Sequence, residues 1–269
     1  MRTLINGGNI NYVEHGDRSA MAVVFVHGFP FSHEMWNPQL DAIGKLYRAI
    51  AYDIRGHGES DVGDGQFTIE SHVDDLIGLL DYLKVYKAVI IGLSMGGYIS
   101  LRALERNAER FSAAVLCDTR SEADSNEGKI KRGADVGNVK KTGSKQFADD
   151  FVKRVFAAET FTKKPDAVES IHRIVRHTPP LSIAGTLIAL AARTDTTASL
   201  ANIKVPTMIL VGEHDVLTPP AASQAMHERI HGSELHIVPQ AAHMSNMENP
   251  DFFNEKLLYF LKRVSSMAA

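Results

Sequence analysis

The chain has 269 residues, 44% of them hydrophobic and 23% charged, with a formal net charge of −3. That length carries one substantial core with room for an insertion, and the near-neutral balance excludes a nucleic-acid binder that works through a global basic surface. The single cysteine, Cys117, allows no internal disulfide, no Cys/His spacing of a zinc site occurs, and no apolar run reaches the length of a membrane span.

The first sixteen residues, MRTLINGGNINYVEHG, are broken by glycine and asparagine and hold no apolar core of signal-peptide length. A cytoplasmic location is the expectation, and it suits the lone cysteine. NINYVEHG alternates as an edge strand of an opening hairpin turning at Gly7-Gly8. Residues 22–28 (AVVFVHG), 88–92 (AVIIG), 113–118 (AAVLCD) and 207–215 (TMILVGEHD) are short continuous apolar runs ending in Gly or polar residues. Such runs read as parallel strands buried on both faces; YRAIAYDIRG and ELHIVPQAAH fit the same role less cleanly. Between them, Ile69, Val73, Leu76, Ile77, Leu80 and Leu83 form one helical stripe. A second helix follows the glycine-serine turn at 92–97, and a third closes the chain from Pro250. Alternation of strand and helix predicts an α/β class, a mostly parallel doubly wound sheet.

Residues 120–201 break that rhythm and are predicted as a helical insertion after the sixth strand, with residues 1–119 and 202–269 forming the core domain. Within it, the polar stretch SEADSNEGKIKRGADVGNVKKTGSKQ reads as a surface spacer whose charges make a solvated face rather than a binding patch.

The chemistry centres on Gly92-Leu93-Ser94-Met95-Gly96-Gly97. It follows a buried-strand pattern and precedes a helical one, the context of a G-x-S-x-G nucleophile elbow. Small residues are needed there because the turn brings strand and helix backbones close together, and Ser94 takes a sparsely populated backbone conformation. A serine needs a base and the base an orienting acid, in the chain order Ser, acid, His. Asp215, at a strand end, and His243, in the loop after the next strand, fill those places on the strand C-terminal edge. Glu213 and Asp118 are competing carboxylates, and Asp215 also reads as a cap for the helix starting near Pro219. The oxyanion donors are expected to be the backbone N–H groups of Met95 and Phe29, since Pro30 has none. His27 reads as a brace for this loop. Phe29, Trp36 and Met95 are the substrate-pocket candidates, whereas residues 181–195 read chiefly as helix packing.

Five motifs in this order resemble the α/β-hydrolase family over nearly the whole chain: HGFP as the oxyanion loop, DIRGHGES, GLSMGG, GEHD, and AAHMSNMENP as the histidine loop. The resemblance implies that Asp53 and Arg55 tie a loop beside the site and that the insertion is a helical lid over Ser94. Ser94 itself argues against the dehalogenase and epoxide-hydrolase branches, which carry aspartate at the elbow. HGFPFS lacks both the Gly/Pro-rich loop of the C–C bond hydrolases and the HGGG of another esterase branch. What remains is similar to small bacterial carboxylesterases and 3-oxoadipate enol-lactonases. That resemblance implies a serine hydrolase cleaving a small carboxylic ester or lactone through an acyl-enzyme on Ser94, His243 and Asp215, with no cofactor or metal. Enol-lactonase or cofactor-free perhydrolase chemistry on the same residues stays open, as does a non-catalytic ligand receptor of the same fold. The partner is a small molecule, not nucleic acid or membrane, and the sequence leaves homo-oligomerisation open.

Overall fold

Each short apolar run becomes a strand in the computed structural model, which describes residues 1–268. β1 (Arg2–Ile5) and β2 (Gly8–His15) form an antiparallel hairpin that turns through Asn6 and Gly7, at φ 47° and 78°. The turn thus sits one residue earlier than the Gly7-Gly8 reading, because Gly8 already pairs with Ile5. β3 (Ala22–Val26), β4 (Arg48–Tyr52), β5 (Ala88–Leu93), β6 (Phe111–Cys117), β7 (Thr207–Gly212) and β8 (Glu234–Val238) complete an eight-stranded sheet of order β1-β2-β4-β3-β5-β6-β7-β8. β2 runs antiparallel to β4, and every pair from β4 to β8 is parallel. Every residue of β3, β4, β5 and β7 is buried, which requires cover on both faces.

That cover comes from helices α1 (Asn37–Ile43), α2 (Ile69–Tyr82) and α3 (Met95–Arg106) in the first half of the chain. α2 starts where it does because Thr68 and Ser71 cap each other's backbone N–H groups, a reciprocal arrangement worth about 1 kcal/mol per cap. It buries Ile69, Val73, Leu76 and Leu80 and packs on α3.

After β6 the chain leaves the sheet as α4 (Asn126–Val155), α5 (Thr160–Lys163), α6 (Pro165–His177) and α7 (Pro180–Ala191). α4 packs against α6 and α7 and is interrupted at Gly143, where φ is 81°. The polar stretch read as a surface spacer is therefore mostly helix. Lys, Arg and Glu favour helix intrinsically, and its partners α6 and α7 lie too far along the chain to show in a local pattern. The chain returns as β7, α8 (Pro220–Arg229), β8, α9 (Ser245–Glu248) and α10 (Pro250–Ala268), with α8 against β7 and β8 and α10 against α1. Among the described residues no helix is long and apolar enough to cross a membrane.

Since β3, β5, β7 and β8 are parallel, the segments leaving their C-terminal ends gather at one edge of the sheet. Those segments carry Phe29, Ser94, Asp215 and His243.

Candidate active site

Ser94 stands between the last residue of β5 and the first of α3, at φ 55° and ψ −114°. This left-handed conformation is strained for a side chain with a Cβ. The backbone around it is over-determined: Ser94 N–H donates to the Cys117 carbonyl (2.9 Å), and its own carbonyl accepts from Thr119 Oγ1 (2.8 Å), Gly97 N–H (2.9 Å) and Tyr98 N–H (3.1 Å). The neighbouring glycines allow that packing. A Cβ at Gly92 would run into the Gly96 carbonyl, and one at Gly96 into the carbonyl of Val26 on β3. Gly96→Ala is therefore expected to lower Tm by roughly 6–12 °C, taking about 3 kcal/mol for overpacking and about 2–4 °C per kcal/mol. Thermal unfolding followed by circular dichroism checks this; an unchanged Tm would contradict the close approach.

His243 and Asp215 meet as a buried pair, with His243 Nδ1 2.8 Å from Asp215 Oδ2. Asp215 is fixed from its own loop: Oδ1 accepts from Leu217 N–H (2.8 Å) and Thr218 N–H (3.1 Å), and Oδ2 from Thr218 Oγ1 (2.7 Å). Burial pushes its carboxyl upward, but the His243 charge and the hydrogen bonds from His243 and Thr218 outweigh this and hold it below the usual range. With Nδ1 committed to Asp215, His243 has Nε2 left for the cavity it lines together with Ser94.

The competing carboxylates stand elsewhere. Glu213 is half exposed and accepts from Gln240 N–H (3.1 Å). Asp118, fully buried at φ 44°, takes Gly212 N–H on Oδ1 (2.8 Å) and pairs with Ser245 Oγ on Oδ2. Burial and the nearby Asp215 charge push its carboxyl well above the usual range.

Phe29 and Met95 both line the cavity, and among the described residues neither backbone N–H is taken by another acceptor. For Met95 this follows from its place as the first residue of α3, where helix N–H groups have no partner within the helix. His27 lies beneath the Phe29 loop, its Nδ1–H donating to Gly28 O (2.8 Å) and its Nε2 accepting from Ile54 N–H (2.9 Å). Burial holds it neutral, with a pKa pushed down to about 4. Asp53 gathers Asn11 Nδ2, the N–H groups of His33 and Glu59, and His33 Nδ1 within 2.7–2.9 Å. Arg55 grips Asp75 on α2 through two bonds of 2.8 and 2.7 Å. Both residues brace loops and neither lines the cavity.

The cavity encloses about 200 Å³. Its apolar wall is Phe29, Met95, Phe147, Phe151, Leu187 and Leu190, and Phe29 meets Phe147 and Phe151 edge-on at 6.0 Å. Trp36 does not line it, which corrects the expectation for that residue. Its ring is fully buried, with Phe25 5.2 Å and Phe253 6.3 Å away, because it faces the core between sheet and α10 rather than the strand edge. Leu187 and Leu190, read as helix packing, do reach the cavity.

A charged wall of Arg120, Lys131, Arg132 and Arg154 with Asp124 and Asp135 also lines the cavity. Of these, Lys131 and Arg132 belong to the stretch read as a solvated face rather than a binding patch, and the sequence reading does not single out Arg120 and Arg154. Asp124 is shared by three guanidiniums, those of Arg120 (2.8 Å), Arg132 and Arg193 (2.6 Å). Burial pushes its carboxyl up, but Arg132 and Arg193 prevail and hold it at about 2. Arg154 lies 6.0 Å over the Phe151 ring and, like Lys131, meets no carboxylate among the described residues. The density of Lys and Arg in the polar stretch was the available signal.

Known proteins match this geometry over its full extent. Residues 21–250 fit the family model described as the alpha/beta hydrolase fold. The 3-oxoadipate enol-lactonase 1 of Acinetobacter baylyi is 28% identical over 264 residues, covering 98% of this chain and 97% of that protein. Among solved structures, a thermophilic esterase from Thermogutta terrifontis superposes with a TM-score of 0.93 at 33% identity, over 98% of this chain and 97% of its own. The enol-lactonase from Burkholderia xenovorans LB400 gives 0.92 at 31%, over 97% of this chain and 100% of its own. With the sheet order, the elbow and a family match spanning most of its length, the chain belongs to the α/β-hydrolase fold family and is a hydrolase.

Proposed function

We propose that the chain hydrolyses small carboxylic esters or lactones through an acyl-enzyme on Ser94, with residues 120–201 acting as the lid of a core formed by residues 1–119 and 202–269. The observation that carries this reading is the buried Asp215–His243 pair, at 2.8 Å, opening onto the same small cavity as the strained Ser94 elbow. His243 Nε2 takes the Ser94 Oγ proton as Oγ attacks the substrate carbonyl. The Phe29 and Met95 N–H groups receive the oxyanion, each such donor being worth about 2.7–4 kcal/mol in the transition state. The tetrahedral adduct collapses, the C–O bond to the leaving oxygen breaks, and His243 returns the proton to that oxygen. Water, deprotonated by the same nitrogen, then cleaves the acyl-enzyme and regenerates Ser94. Asp215 holds the imidazole with its proton on Nδ1 and offsets the positive charge that develops there.

The relatives named as enol-lactonases bring lactones within the substrate class. The charged wall narrows it further, because four cations and only two carboxylates line the cavity. This favours a substrate bearing a carboxylate remote from the scissile carbonyl. Arg154 and Lys131 are both exposed and free of any carboxylate among the described residues, and of the two the Arg154 guanidinium offers the paired donors that match a carboxylate.

The test is fluorophosphonate labelling combined with a panel of p-nitrophenyl esters and lactones, each with and without a free carboxylate. Label on Ser94 with turnover of any panel member supports the reading; neither label nor turnover would sink it and favour a binding protein. Arg154→Ala is expected to raise KM for the carboxylate-bearing ester about ten-fold, the low end of a charged hydrogen bond. KM for the neutral methyl ester should stay unchanged. An equal change for both esters would remove Arg154 from recognition.

A further inference from the structure

Glu248 is a buried carboxylate facing no cation among the described residues, a costly arrangement unless its oxygens are otherwise satisfied. It is the last residue of α9, five residues beyond His243, and its two oxygens reach in different directions. Oε1 accepts from Ala242 N–H (2.8 Å), the residue directly before His243. Oε2 accepts from Ala157 N–H (2.8 Å) and Thr160 Oγ1 (2.5 Å), both in the insertion where α4 passes into α5. On the other side of His243, Met244 N–H donates to the Val155 carbonyl (3.1 Å), in the last turn of α4. The residues flanking His243 are thus both tied to the insertion at the end of α4, Ala242 through Glu248 to the segment just past it and Met244 directly to Val155. The same helix end carries Phe151 and Arg154, which line the cavity.

We propose that Glu248 is a positioning residue that clamps the His243 loop to the helical insertion, so that the segment lining the substrate cavity also sets the placement of the imidazole. The proposal rests on the reading of His243 as the base. A brace of stability alone would need only to join two segments. This carboxylate joins Ala242, the residue before His243, to the segment that directly follows the cavity-lining helix end. A carboxylate suits the task because it accepts three hydrogen bonds with no proton of its own to place.

The test uses Glu248→Gln and Thr160→Val in the full chain, with Thr160→Ser as the conservative control. The readouts are kcat, KM, Tm and the low-field proton resonance of the His243 Nδ1–H···Asp215 hydrogen bond. Glu248→Gln turns one acceptor into a donor facing donors. It is expected to lower kcat at least ten-fold with KM within two-fold, and to shift or broaden the low-field resonance. Thr160→Val, far from the chemistry and nearly isosteric, should lower kcat three- to ten-fold in the same way, and Thr160→Ser should keep the wild-type value. If Glu248→Gln fails to fold, Thr160→Val carries the test. A drop in Tm with kcat and resonance unchanged would overturn the proposal and leave a structural brace. The resonance needs no turnover, so it tests the clamp even if the wild-type chain hydrolyses no ester. That last result would overturn the functional reading instead.

Discussion

Ser94→Ala is expected to abolish ester turnover, with kcat falling about 10⁶-fold, the scale on which removing the nucleophile of a serine hydrolase acts. The fold should survive the change. Every hydrogen bond found at Ser94 runs through its backbone, from its N–H to Cys117 and from Thr119, Gly97 and Tyr98 to its carbonyl. Alanine keeps those bonds and meets the same φ of 55°. Tm should therefore match the wild type while fluorophosphonate labelling disappears. The expected loss is that of the whole covalent route, because the Phe29 and Met95 donors then polarise a carbonyl with no attacking group beside it. A Ser94→Ala protein with wild-type rates would place the nucleophile elsewhere. A protein with lost activity and a lowered Tm would show only that the elbow had been disturbed, and the intact backbone bonds argue against that outcome.

The catalytic candidates were legible in the sequence because their signals are local. A buried run that ends in Gly-x-Ser-x-Gly states both the strand and the turn, and Gly92 and Gly96 are required by close approach to neighbouring backbone. The strand pattern before Asp215 and before His243 likewise fixes on which edge they emerge. What the sequence leaves open is which of several strand-end carboxylates stands against His243. The structure sets Asp215 there, while Asp118 is engaged by Gly212 and Ser245. Sequence proximity misled for Trp36: an aromatic a few residues past the oxyanion loop can turn inward, and this one fills the space between Phe25 and Phe253.

The insertion was legible as helical and, through the family resemblance, as a lid over Ser94, but its charged residues were not legible as cavity wall. Its charged residues follow no apolar stripe, so Lys131 and Arg132 look like any solvated helix face. Arg132 is held by Asp124, which it shares with Arg193, and Arg193 in turn lies 4.1 Å over the Tyr98 ring of α3. Glu248 was hidden for the same reason. Its partners Ala157 and Thr160 lie about ninety residues earlier, and a glutamate ahead of a proline reads as an ordinary helix end. Contacts of that separation are set by the packing of the insertion on the sheet edge, which no local periodicity encodes.

Asp215→Asn should keep the fold and lose most of the activity, with kcat down about 10⁴-fold, the cost where such a change in other serine hydrolases leaves the geometry intact but the tautomer wrong. The hydrogen bonds dictate how the amide sits. Leu217 N–H and Thr218 N–H both require an acceptor at the Oδ1 position, so the asparagine oxygen takes that place and its NH₂ group takes the place of Oδ2. There it faces His243 Nδ1, 2.8 Å away, and Thr218 Oγ1, 2.7 Å away. Thr218 can rotate its hydroxyl to accept, but His243 can accept only by moving its proton to Nε2. An Nε2–H cannot take the Ser94 proton, and the negative charge that offsets the imidazolium is gone as well. The loss should fall on kcat with KM nearly unchanged, and fluorophosphonate labelling of Ser94 should slow in parallel. Stopped-flow acylation and circular dichroism measure the two halves of this expectation. A variant that kept wild-type acylation would mean that another carboxylate orients His243. Asp118 cannot do so without giving up Gly212 and Ser245, so a substitute acid would also appear as a loss of stability.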